Sequence, residues 1–198
     1  MLKKELLIES ANYQRIDRSI SLLWANLISI GLFVPIFLIP SMIFDWLWGS
    51  EPMVTAVEML FGKPILLFFG FVAFIVLHEM IHGLTWQGLS GGNRGVVEYG
   101  VKWKVLTPYA HLKIPIGLNS YRWGTGMPGL LLGVLPVLIG LGLGDGIIFL
   151  IGLFMTASAG GDFTILYLLR NDRTPALVED HPDNAGCYVL VEITEPQE

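Results

Sequence analysis

The chain has 198 residues, 53% of them hydrophobic and only 15% charged, with a mean hydropathy of +0.61. Soluble domains carry about 25% charged residues, so an ordinary soluble domain is excluded. The net charge of −5 gives no basis for nucleic-acid binding. A single cysteine, Cys187, excludes an internal disulfide framework and a cysteine-based zinc finger, and reads as a small strand residue.

In chain order, residues 1–18 mix Lys3, Lys4, Glu5, Glu9 and Asp17 with apolar side chains and lack the short apolar core and cleavage site of a signal peptide. They read as an amphipathic cytosolic segment, with Leu6, Leu7, Ile8 and Tyr13 as interfacial contacts. Four apolar segments follow, over 21–46, 64–86, 127–143 and 146–169, each long enough or nearly so to cross a bilayer. Pro35 and Pro40 are expected to kink the first, and Pro136 to interrupt the third. Only Gly144 and Asp145 separate the third and fourth, which predicts a tight helical hairpin.

The loop over 87–126 is different in kind. Gly88, Gly91, Gly92, Asn93 and Gly95 are turn residues, and Val96–Leu106 then partly alternates apolar with polar. His111–Leu118 does so more weakly, so the loop reads as a β-hairpin or small sheet at the membrane surface. Residues 187–193 form a last apolar-rich strand, which could join the same sheet. The fold class is therefore mainly α: a polytopic membrane protein with four transmembrane helices and a small cytosolic β-hairpin or sheet, organised as one domain over 1–198.

Charge asymmetry gives an orientation. Of the 12 lysines and arginines, only Lys63 lies in the two loops on the far side. The others flank the first span, fill the 87–126 loop or follow Leu169, which places both termini and that loop in the cytosol of a multi-pass cell-membrane protein.

The second span carries His78-Glu79-Met80-Ile81-His82, an H-E-x-x-H motif in a chain with only 4 histidines. On a helix, positions i and i+4 share a face, so both imidazoles can reach one Zn²⁺, while Glu79 is placed to take a proton from water. A catalytic zinc site needs a third protein ligand. Within the spans Asp162 is the candidate, because an acid at that depth is costly unless it has a function. His78 comes 14 residues into the second span and Asp162 16 residues into the fourth, counted from Pro64 and Gly146. At ~1.5 Å per residue the two differ in depth by about 3 Å. The competing reading of Asp162 is a helix cap or bend.

His111 is a weaker ligand candidate and fits a substrate groove or secondary site better. His181, in Asp180-His181-Pro182-Asp183, reads as a turn residue, and Glu98 as the solvated side of a strand. Trp24, Trp46, Trp48, Trp86, Trp123 and Tyr167 read as interfacial anchors.

An intramembrane H-E-x-x-H, a β-rich cytosolic loop and an Asp in the second later helix together resemble the site-2 protease class of intramembrane zinc metalloproteases. More narrowly, His78-Glu79-Met80-Ile81-His82-Gly83 and Gly161-Asp162 resemble the DUF3267 family of zincin-type membrane peptidases. The setting of the acid differs from typical site-2 proteases, with Ala-Gly-Gly-Asp-Phe where those have Asn-Pro…Leu-Asp-Gly. The resemblance implies zinc held by His78, His82 and Asp162, with Glu79 as catalytic acid/base. It implies hydrolysis of a peptide bond in membrane-protein or peptide substrates within the lipid bilayer, near its cytosolic side. A non-catalytic zinc scaffold, a transport-related protein, and a hydrolase of small amides or lipid-linked substrates remain alternatives from the residues alone.

Overall fold

A computed structural model describes residues 13–92, 95–103 and 107–193. The sequence-based contacts at Leu6, Leu7 and Ile8 lie outside these residues. The chain is mainly helical. Strand β1 (Tyr13–Ile20) leads into α1 (Leu22–Trp48), a short α2 (Glu51–Phe61) and α3 (Pro64–Leu89). A hairpin of β2 (Val97–Lys102) and β3 (Thr107–Leu112) follows, then a two-residue β4 (Ile116–Gly117). Helix α4 runs over 118–143, α5 is Gly146–Ser158 and α6 is Gly160–Leu168. Strands β5 (Leu177–Asp180) and β6 (Ala185–Glu192) complete the chain.

Helices α1, α3 and α4, of 27, 26 and 26 residues, are long and apolar enough to cross a membrane. The α5–α6 pair passes the same test as a unit, bent by 47° at its break. Among the described residues there are thus three candidate spans, or four if the bent pair is one span. Large apolar side chains such as Leu23, Trp46, Ile65, Phe69 and Leu143 face outward on these helices. A water-soluble protein would bury such a surface; a bilayer covers it.

Several sequence-based boundaries shift. The polar residues 13–20 form a strand where an amphipathic segment is expected, because β6 supplies antiparallel partners from Tyr13↔Glu192 to Ile20↔Ala185. Arg18 reinforces that pairing by gripping Asp172 at 2.9 Å, tying β1 to the end of α6. Helix α4 begins at Leu118, nine residues before the expected start of the third span, and Pro136 does not interrupt it. Proline cannot donate to the carbonyl four residues back and crowds it. Ahead of Pro136 the helix widens into a π-helical stretch over Gly129–Val134, which relieves that crowding. The final strand does not extend the hairpin sheet. It belongs to a separate four-stranded sheet of order β1-β6-β5-β4, while among the described residues β2 and β3 pair only with each other.

The predicted tight turn is present. Gly144 adopts φ +71°, a left-handed conformation that suits glycine. The Asp145 side chain then caps α5 by accepting from the amides of Ile147 and Ile148. Along the α4–α5 pair the backbones nearly touch: a Cβ on Gly140 would lie 2.5 Å from the Phe149 nitrogen, and one on Gly152 would lie 2.5 Å from that of Val137. Small residues permit this approach, as membrane helix pairs require.

Two apolar cores result. One joins Phe44, Ala56, Phe149, Leu150 and Leu153 in the half of the bundle away from the sheets. The other joins Trp86, Val96, Leu112, Ile116, Leu118, Tyr121, Leu169, Val178 and Val189, where the sheets meet the ends of α3, α4 and α6. The site lies beside this second core.

Candidate metal centre and active-site cleft

His78 and His82 sit one turn apart on α3, and Asp162 lies in the first turn of α6. The break at Ala159 lets α6 leave the line of α5 and aim its first turn at α3. Gly160 makes room for it: a Cβ there would lie 3.0 Å from Ser29 of α1. Asp162 does not cap its helix. Its Oδ2 lies 3.1 Å from His78 Nε2 and its Oδ1 lies 3.4 Å from His82 Nε2. The two Nε2 atoms are 3.1 Å apart. Among the described residues this trio is the group of His, Cys, Asp and Glu able to hold a metal ion.

The separations fit zinc. Tetrahedral bonds of about 2.0–2.1 Å place neighbouring ligand atoms about 3.3 Å apart. Two imidazole nitrogens turned toward each other and toward one carboxylate also present converging lone pairs, which a cation satisfies. His82 is fixed further: its Nδ1 lies 2.8 Å from the Gly124 carbonyl. As the donor in that contact, Nδ1 carries the proton and leaves Nε2 free to bind metal.

Trp86 is not the interfacial anchor that its position near a span end suggests. It is buried, and its ring stacks between His82, at 5.3 Å, and Tyr121, at 5.7 Å. The indole nitrogen donates to the Tyr121 carbonyl at 3.2 Å. The space comes from Gly124, where a Cβ would lie 2.0 Å from the indole. One glycine of α4 thus provides both the carbonyl behind His82 and the slot for the ring beside it. Trp24, Trp46, Trp123 and Tyr167 are exposed, as anchors would be.

Glu79 points to the hairpin. Its Oε2 accepts from the Ala110 amide at 2.9 Å. In this antiparallel pair the amides of Ala110 and Leu112 face away from β2, and the second is also taken by a carboxylate: Leu112 N–H donates to Asp180 at 2.8 Å. The hairpin is seated on α3 by Tyr99, whose hydroxyl lies against Gly83, the residue after His82; a Cβ there would meet it at 1.9 Å. Burial, helped by the charge of Glu79, holds the Tyr99 hydroxyl above its ordinary pKa, so it stays protonated at neutral pH.

A cavity of about 480 Å³ runs from the metal trio past Glu79 to β3 and the β5–β6 turn. Two others of about 560 and 580 Å³ contain none of these residues. His111 and His181 both line the cleft. His111 lies 3.4 Å from Asp180 and is not part of the metal trio. His181 has the expected turn role: its Nδ1 accepts from the amides of Asp183 and Asn184. Glu98 is exposed and pairs with Lys113 at 3.0 Å. Asp180 escapes a sequence reading, because an acid in a turn-rich stretch carries no local signal; only the fold brings it to Leu112 and to the Tyr121 hydroxyl, at 2.8 Å.

No curated protein and no solved structure matches the chain significantly. A family model does match over residues 71–177, a little over half the chain, and the matched stretch holds His78, Glu79, His82 and Asp162. That family is described as "Putative zincin peptidase", a class whose cofactor is zinc, in agreement with the ligand trio. With apolar helices, an H-E-x-x-H on one of them and this match, the chain belongs to the DUF3267 family.

Proposed function

We propose that the protein is an intramembrane zinc metalloendopeptidase that cleaves a peptide bond of membrane-protein substrates near the cytosolic side. The observation that carries this reading is the arrangement around α3. Three metal-ligating groups from α3 and α6 converge, and a carboxylate beside them lines a cleft that reaches the sheets.

His78, His82 and Asp162 hold the ion. When bound, zinc supplies Lewis acidity, which eases ionisation of water near neutral pH and draws charge from a carbonyl. Glu79 takes a proton from the attacking water as its oxygen adds to the scissile carbonyl carbon. It returns that proton to the amine nitrogen as the C–N bond breaks. Gly124 keeps His82 in one tautomer throughout, and Trp86 packs against the ring so that it cannot turn. Ala110 holds Glu79 against the hairpin through a backbone amide, which has no side chain to lose and fixes the carboxylate in direction.

A substrate helix hides its carbonyls in i→i−4 hydrogen bonds, so it must unwind before cleavage. Both termini and the hairpin face the cytosol in this reading, in line with the basic residues that flank it. A cysteine introduced at Ser50 should label in intact cells and one at Arg173 should not; the opposite pattern would reverse the orientation.

The test of function is cleavage of a single-span membrane protein bearing Gly-Pro in the cytosolic half of its span. Wild type should cleave it. Glu79→Gln keeps the size of the side chain and cannot accept the proton, so it should retain zinc and lose ~10²–10⁴-fold in rate. Equal behaviour of the two proteins would leave a zinc-binding scaffold in place of an enzyme.

A further inference from the structure

A proton-accepting carboxylate beside a metal trio leaves one task unassigned among the side chains: holding the oxygen on which charge grows during amide hydrolysis. We propose that His111 is a second catalytic residue, donating a hydrogen bond from Nε2 to the scissile carbonyl oxygen, and that Asp180 is the residue that positions it. The proposal rests on the peptidase reading.

Three observations carry it. First, His111 lines the same cleft as Glu79 and the metal trio. Ala110, whose amide holds Glu79, precedes it directly, so their Cα atoms are ~3.8 Å apart. Second, the ring has an orienting partner. His111 Nδ1 lies 3.4 Å from Asp180 Oδ2. The carboxylate facing Nδ1 orients the ring and holds a proton on that nitrogen; in the doubly protonated ring Nε2 carries an N–H as well, and that N–H is the proposed donor. Third, Asp180 is itself held from several sides. Its Oδ2 also accepts from the Leu112 amide and its Oδ1 accepts from the Tyr121 hydroxyl, both at 2.8 Å. Its side chain is only 11% exposed. A carboxylate tied to β3 and α4 at once is a rigid post, and His111 is the imidazole that it holds at the cleft.

The other cleft histidine does not compete for the role. His181 spends Nδ1 on two turn amides and meets the Tyr188 hydroxyl at Nε2, 3.0 Å away. Asp180 lies beyond residue 177, where the family match ends. The assignment therefore joins a matched residue to one that the match does not reach.

During reaction the carbonyl π pair moves onto oxygen as water adds to carbon, and the His111 N–H strengthens its bond to that oxygen without giving up its proton. Removing one such donor costs about 10²–10³ in kcat. Zinc-loaded protein in detergent should be tested in two ways. In cleavage of the Gly-Pro single-span substrate, His111→Ala should lower kcat about 10²-fold with KM and zinc content unchanged. Asp180→Asn should fall between wild type and His111→Ala, and the double variant should be no slower than His111→Ala, since one residue acts through the other. Lys113→Gln, which breaks only the exposed ion pair to Glu98, should keep the wild-type rate.

Binding separates the proposal from the reading beneath it. A phosphinic pseudopeptide carries a tetrahedral anionic centre, and the matching ketomethylene compound a planar carbonyl. Wild type should favour the phosphinic compound, and His111→Ala should lose about 10²-fold of that affinity while holding the ketomethylene compound as before. If wild type cleaves and prefers the tetrahedral compound but His111→Ala matches it in both assays, the assignment of His111 is wrong and the peptidase stands. Equal loss of both compounds in His111→Ala would make the residue a structural contact and overturn the proposal. If wild type neither cleaves nor distinguishes the compounds, the peptidase reading fails and the proposal falls with it.

Discussion

The two ends of the helical bundle use small residues for different purposes. Away from the sheets, Gly140 and Gly152 bring α4 and α5 into backbone contact around an apolar core of Phe44, Phe149 and Leu153. At the sheet end, Gly83 and Gly124 also remove side chains from helix contacts, but what fills the space is Tyr99 and Trp86. There the close approach sets the direction of His82 and the seat of the hairpin. Polar groups follow the same division: His82, Thr125 and Thr164, the buried polar side chains of the described residues, all lie toward the sheet end. Close packing in a membrane thus serves association at one end and the geometry of a site at the other.

The sharpest way to break this comparison is to remove a ligand. His82→Ala should abolish stoichiometric zinc and all turnover, while the helices persist because lipid and the Phe149 core hold them. Asp162→Asn keeps the shape and loses the charge, and should weaken zinc binding by a large factor with little effect on the fold. Full zinc occupancy in Asp162→Asn would move the third ligand elsewhere, with His111 next in line.

A smaller effect comes from Gly124→Ala. The new methyl would collide with the buried Trp86 indole, which has no room to withdraw. Overpacking of this kind costs about 1–3 kcal/mol. It should also loosen the Gly124 carbonyl from His82 and lower zinc affinity. Gly140→Ala in the other half should destabilise by a similar amount and leave the zinc affinity of the folded fraction unchanged. Comparing thermal unfolding with zinc titration in the two variants checks the contrast; equal effects on zinc would remove it.

Much of this arrangement is legible in the residues. The H-E-x-x-H gives two ligands and a base from helix periodicity alone, and depth counting along two spans pairs Asp162 with them. The Gly144-Asp145 turn and the existence of a hairpin in the 87–126 loop are likewise local signals, though its strands, Val97–Lys102 and Thr107–Leu112, are shifted from the alternating stretches 96–106 and 111–118, and Ile116–Gly117 joins the other sheet. The rest depends on contacts distant in sequence. Strand β1 is polar and forms because β6, over 160 residues later, pairs with it. Trp86 looks like an anchor until Gly124 is known to face it. Asp180 has no local mark, and its role comes from three partners drawn from two elements.

The mildest test concerns Cys187. It is fully buried in β6, and burial, with the nearby charge of Asp180 adding to it, pushes its thiol up to about 12. The folded thiol thus stays protonated where an unfolded one, with its ordinary value of 9.0, ionises. This group leaves stability intact below pH 9 and withdraws it as pH rises from 9.0 toward about 12. At pH 8 a thiol reagent should leave the native protein unlabelled and react only after unfolding. Rapid labelling of the native protein would show the sheet core to be open.

Zinc-edge X-ray absorption on the purified wild-type protein, with metal content measured on the same sample, is the most direct test of the ligand trio. About one zinc per chain is expected, bound by two imidazole nitrogens and one carboxylate oxygen at about 2.0–2.1 Å. Stoichiometric zinc should be lost in His78→Ala, and the wild-type spectrum should be kept in Glu79→Gln. A spectrum without imidazole scattering, or one that Glu79→Gln alters and His78→Ala does not, would contradict the assignment of His78, His82 and Asp162 as ligands and Glu79 as the base.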